Sequence, residues 1–130
     1  MADKLALIVT SGSREQLQMA AMMASVGSVS GTEVTVFLSM NAMTHFLNGG
    51  EGQEAPAEGE MGRLLAEKNA PHFMDLFEQA AELGGARIYP CSMAVDILGA
   101  TEGDLSHMLE KPLGLTKFMS DFEDATVLTF

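Results

Sequence analysis

The chain has 130 residues, enough for one hydrophobic core, and 47% are apolar against 19% charged, a balance that excludes a globally disordered chain. A net charge of -11 repels phosphate backbones and anionic lipid surfaces, and no Lys/Arg cluster offsets it locally, so the expected partners do not include nucleic acid. No stretch reaches the roughly 18 uninterrupted apolar residues of a membrane helix; LQMAAMMASVGSV comes nearest and is broken by Gln18, Ser25, Gly27 and Ser28, which predicts no membrane insertion.

In chain order, KLALIVTSGS opens with an apolar run from Leu5 to Val9, too short for a secretion-signal core and followed by turn residues; it predicts a buried strand over residues 5–10. Ser13 suits the N-cap of a helix from Arg14 to Ser30, closed by Gly31. Leu17, Ala20, Ala21, Met22, Met23, Ala24 and Val26 make its apolar surface wider than one stripe, which predicts self-association or burial on both sides. A second strand is expected over Glu33 to Leu38, then a short helical segment, MNAMTHFL. Residues 48–62, NGGEGQEAPAEGEMG, lack apolar periodicity and read as a mobile acidic surface loop inside a single 1–130 domain.

Asn69 reads as the cap of the next helix, with Pro71 in its first turn and Phe73, Leu76, Phe77, Ala80 and Leu83 at helical spacing before Gly84 and Gly85. ARIYP is the third strand, SMAVDIL a short helix closed by Gly99, and TEGD a capped turn reaching about Met108. A short edge strand is expected near Leu109, then a helix over LGLTKFMSDFE and a last strand, ATVLTF. Alternation of β-branched runs with helical patterns predicts an α/β fold, a mostly parallel sheet of about five strands between helical layers.

Cys91 is the only cysteine, so it makes no intramolecular disulfide, and a lone thiol suits a reducing compartment, by default the cytoplasm. It falls where the third strand ends and a helix begins, the edge at which ligands gather in open parallel sheets. A helix N-terminus favours a thiolate by about 0.3–1 kcal/mol; burial disfavours it. Exposure therefore decides between a nucleophile and a small buried hydrophobe.

PCSMAVDILG, between a strand and a helix start, resembles the Cys-x-Met-x-x-Asp-x-x-Gly signature of the DsrE/DsrF-like sulfur-trafficking family, in its single-cysteine branch. KLALIVTSGS, GTEVTVFLSM, FMDLFEQAAELGGARIYPC and the closing VLTF follow the same layout. The resemblance implies a three-layer α/β/α sandwich and a homo-oligomer, commonly a trimer or hexamer. It also implies a sulfurtransferase-like carrier that accepts sulfane sulfur on Cys91 and passes it to a partner protein's thiol. Met93, Asp96 and Gly99 then shape the site rather than react. The four glutamates in residues 51–60 depart from the family pattern and leave the docking partner open. A carrier also has reason to lack a second thiol, which would expel the sulfur by forming a disulfide.

Around the cysteine, Ser92 and Met93 supply N-H groups of the following helical turn, and Ser11 and Gly12 lie in the loop after the first strand, where backbone N-H groups can hold an anionic sulfur species. TSGSRE lacks the lysine and spacing of a phosphate loop. Arg14 balances a thiolate only if its helix start adjoins Cys91 and is otherwise solvated. His45, His72 and His107 show no ligand spacing, so no metal and no cofactor are expected. The eleven methionines read as packing. The competing reading is a small-anion or metal-binding oligomeric module in which Cys91 is structural or a ligand.

Overall fold

A computed structural model describes residues 4–48 and 54–130. Its order is β1 (Lys4–Val9), α1 (Arg14–Val29), β2 (Glu33–Leu38), a 3-10 segment (Met40–Phe46), α2 (Glu60–Glu67), α3 (Phe73–Gly84), β3 (Arg87–Pro90), α4 (Ser92–Ile97), a 3-10 turn (Glu102–Asp104), α5 (Leu115–Asp121) and β4 (Thr126–Thr129).

All strand pairs are parallel, in the order β3-β2-β1-β4. Strand residues alternate between faces. Leu5 and Val34, paired in register, both meet α1 at Gly27, whereas Phe37 points the other way and packs on Phe118 of α5 with ring centroids 4.7 Å apart. Helices thus cover both faces, and the α/β sandwich expected from the alternating pattern is present. The α1–α3 contact is close at one point: a Cβ on Gly84 would collide with the Ser28 side chain. No helix among the described residues is long and apolar enough to cross a membrane.

Among the described residues four strands form rather than five. Residues 110–113 do run along the free edge of β3, where the Glu110 N-H donates to the Ile88 carbonyl at 2.8 Å and that of Leu113 to Pro90 at 3.0 Å. Two residues of β3 are there spanned by three of the segment, and the intervening Pro112 has no N-H, so the pairing shrinks to one bridge, Cys91 with Leu113. The MNAMTHFL segment is 3-10 rather than α-helical.

α2 begins inside the stretch read as a loop. It ends at Asn69, which takes the left-handed conformation (φ 55) while Ala70 N-H reaches back to Leu65 and its own N-H to Ala66, a Schellman-type closure. Asn69 therefore finishes one helix instead of opening the next. The cap of α3 is His72, whose Nδ1 accepts from Met74 N-H at 3.1 Å.

The outer face of α1 is apolar. Met19 (49% exposed), Met22, Val26 (68%) and Val29 remain open to solvent, and Met19, Met22 and Val26 line, with Leu5, Met23 and Gly27, a groove of about 440 Å³.

Candidate functional site

Because the strands are parallel, the segments after β1, β2 and β3 all emerge at one edge of the sheet. Thr10–Ser13, Ser39–Asn41 and Cys91–Met93 are tied together there. Ser39 N-H donates to the Val9 carbonyl at 3.0 Å, Ala42 N-H to Thr10 at 3.2 Å and Cys91 N-H to Leu38 at 2.8 Å. Gly12 sits so near Asn41 that a Cβ would stand 3.1 Å from the Asn41 Cβ. His45 Nε2 donates to the Gly12 carbonyl at 3.2 Å.

Cys91 is the residue preceding α4, with extended backbone, and its carbonyl accepts from Val95 N-H at 3.0 Å. The thiol is not at an open cleft mouth: Cys91 is 5% exposed and belongs to the core with Ala94 and Val95. The 110–113 segment lies directly beside it, bridging Cys91 through Leu113, whose carbonyl also takes the Ser92 N-H at 3.0 Å. An exposed thiol is therefore not what the resting chain presents.

The other expected site residues fall as follows. Ser92 is half-buried and Met93 exposed, both at the start of α4. Ser11 and Gly12 lie two strands away from Cys91, about 10 Å at ordinary strand spacing. Their loop is already hydrogen-bonded: Ser11 N-H donates to the Phe130 carbonyl at 3.3 Å, and Ser13 N-H to Ser11 Oγ at 3.0 Å. Asp96 and Gly99 are exposed; Gly99, at φ 66, ends α4 in the left-handed region that favours glycine.

Three features escaped sequence reasoning. Arg14 is 6% exposed rather than solvated, and its Nε has no hydrogen-bond partner among the described residues. Glu15 gathers the backbone N-H groups of Glu58, Gly59 and Gly62 at 2.8–3.1 Å, which holds its carboxyl below the usual carboxylate range and pins the described part of the 48–62 segment to α1. Residues 49–53 of that segment lie outside the described residues. His107 meets Glu78 at 3.1 Å, with Glu82 alongside, an exposed cluster invisible in sequence because 29 residues separate its first pair.

Two histidines flank the α1 start. Burial, then repulsion from Arg14, holds His72 below the ordinary histidine value, against attraction by Asp75 and Glu54. Burial also lowers His45, helped by His72 and opposed by the Gly12 hydrogen bond.

A sequence profile described as the DsrE/DsrF/DrsH-like family matches residues 52–130, more than half of the chain and including Cys91. The chain belongs to that family. Its fold is similar to a protein of unknown function, MTH1491, from Methanobacterium thermoautotrophicum (10% identity, 98% of each chain, TM-score 0.56). It is also similar to the ychN protein of E. coli (20% identity, 98% of this chain and 99% of that one, TM-score 0.62). At these identities the likeness concerns the fold. No curated protein matches significantly. The family match begins after β2, so membership rests on the half carrying β3, Cys91 and α4.

Proposed function

We propose that the chain is a sulfur carrier, sulfurtransferase-like in chemistry, with Cys91 as its acceptor. The supporting observation is placement: the only thiol stands at the carboxyl end of β3, before α4 and inside the segment that matches the family. After the thiol proton leaves to solvent, Sγ attacks the sulfane sulfur of a persulfide or thiosulfonate-type donor. The new Sγ–S bond forms as the donor's S–S bond breaks, and the donor departs as thiolate, sulfite or thiosulfate. An acceptor protein's thiolate then attacks the outer sulfur and Cys91 is released as thiolate. No external oxidant or reductant enters, and no protein cofactor is invoked. A reducing compartment, the cytoplasm, suits such a thiol.

Ser92 and Met93 border the reacting sulfur in this reading. Ser11 and Gly12 belong to the same sheet edge and hold the neighbouring loop in place. The exposed face of α1 is the proposed contact between copies in a homo-oligomer.

Incubation with thiosulfate, tetrathionate or a low-molecular-weight persulfide, followed by intact mass, should show one adduct on the wild type and none on Cys91→Ala. The adduct should disappear when a thiol acceptor is added. Absence of an adduct with every donor, from protein whose thiol titrates fully after unfolding, contradicts the assignment.

The burial of Cys91 favours one second reading, a binding module in which the cysteine is structural. There, ligand binding would survive Cys91→Ser and no adduct would form.

A further inference from the structure

We infer that the cleft between the N-termini of α1 and α3 is a binding site for a small oxyanion or carboxylate, with Arg14 as its counter-charge. Arg14 is the first residue of the sixteen-residue α1, only 6% exposed, and among the described residues its guanidinium Nε has no hydrogen-bond partner. Arginine carries a fixed positive charge, so this is a largely buried cation whose Nε is unpaired among the described residues. Among the described residues no carboxylate lies within ion-pair distance of it.

The surroundings favour an anion. Arg14 forms part of a cleft of about 460 Å³ together with Asn69, Pro71, His72 and Asp75. His72 is the cap of the twelve-residue α3, so the positive ends of α1 and α3 border this space, opposed by the C-terminal turn of α2, whose Leu65 and Ala66 also line it. Gln18 Nε2 donates to the Pro71 carbonyl at 2.9 Å, which locks the α3 start against α1. A second cleft of about 410 Å³, bordered by Arg14 as well, is lined by the strap at Ala55–Ala57, which is fixed where Arg14 N-H donates to the Pro56 carbonyl at 2.9 Å. Glu54 and Asp75 on the rim are exposed carboxylates and oppose binding. They favour a small anion that reaches the guanidinium past them. Two coplanar oxygens match the fork of the guanidinium. The inference is independent of sulfur chemistry at Cys91, which lies at the end of a strand two positions away.

The test uses the full chain in chloride buffer, titrated with acetate, sulfate, phosphate or thiosulfate and followed by calorimetry and by the NMR shifts of the His72 ring. At least one of these anions should bind and move the His72 signals, and the arms separate a carboxylate ligand from an inorganic oxyanion. Arg14→Met, which keeps the length and loses the charge, should weaken binding at least tenfold while its anion-free melting temperature stays equal to or above that of the wild type. Should Arg14→Met not fold, Arg14→Lys should bind at least tenfold more weakly with the His72 shift reduced. Saturation by none of the four anions, or equal affinity in the substituted chain, overturns the inference.

Discussion

At the scale of single residues, the chemistry turns on what surrounds two side chains, Cys91 and Glu15. Cys91 is buried, and the segment paired beside it through Leu113, which takes the Ser92 N-H, is held by few backbone bonds. Leu113→Gly should loosen it, since glycine removes the side chain and adds backbone freedom. Alkylation of Cys91 under native conditions should then accelerate about tenfold, the equivalent of about 1.4 kcal/mol in the opening equilibrium; an unchanged rate would show that the sulfur is reached by another path. Glu15 fixes the Glu58–Gly62 turn with its carboxylate alone. Glu15→Ala should speed amide exchange at Glu58, Gly59 and Gly62 without altering exchange in β1 or β2, whereas uniform loss of protection would mean that Glu15 supports the whole fold. The charge of Arg14 was legible in the sequence, but its burial was not. An arginine at a helix start is ordinarily wet, and its burial here depends on segments distant in sequence, among them the strap fixed by the Arg14 N-H to Pro56 carbonyl bond.

At the scale of elements, the strands and the two long helices were legible because their patterns are locally decisive. β1 and β2 are short apolar runs bounded by turns; α3 carries helical periodicity and stops at Gly84–Gly85, while α1, apolar over more than one stripe, is marked by its serine cap and by Gly31 beyond its end. What failed did so for physical reasons. Asn69 resembles an N-cap, yet in the left-handed conformation it closes α2, and α2 was missed although Met61, Leu64 and Leu65 lie at helical spacing, because it is short and begins inside a Gly/Glu/Pro-rich stretch. The fifth strand was foreseen near Leu109 from its neighbourhood, and Pro112 prevents its ladder. The site was legible as a position, a thiol at a strand end, but not as a state, because the segment paired beside it comes from residues about 20 positions later in sequence. The closest helix contact gives an element-scale prediction. Gly84→Ala would drive a methyl group into Ser28, and overpacking of this kind costs about 1–3 kcal/mol, read as a lower urea midpoint with unchanged m-value. A neutral effect would mean that α3 slides on α1 without cost.

At the scale of the whole molecule, the apolar face of α1 and the two depressed histidines have consequences for assembly and for pH dependence. Met19, Met22, Val26 and Val29 form an exposed strip beside a groove, the kind of patch that marks an interaction surface. Sedimentation should show self-association at micromolar concentration that Met22→Glu with Val26→Glu abolishes; a monomeric wild type would contradict this. His45 and His72 are both held below their unfolded value, so the unfolded chain takes up protons more readily. The stability they contribute is complete above about pH 6.5 and is lost as pH falls through that value toward the lower folded ones. Urea midpoints should therefore drop between pH 7.5 and 5.5, with a shallower drop in a His45→Gln, His72→Asn chain. Glu15, also depressed, adds its own loss only below the carboxylate range.

Assembly and pH response leave the sulfur-carrier account standing or falling on whether the folded chain lets a reagent reach residue 91. Native-state alkylation by a small uncharged thiol reagent, followed by mass over time, measures this most directly. The account predicts that every molecule acquires one label while far-UV and near-UV signals stay native, at a rate that levels off with reagent concentration as opening of the 110–113 segment becomes limiting. Labelling only in step with global unfolding would contradict it and leave Cys91 as a packing residue.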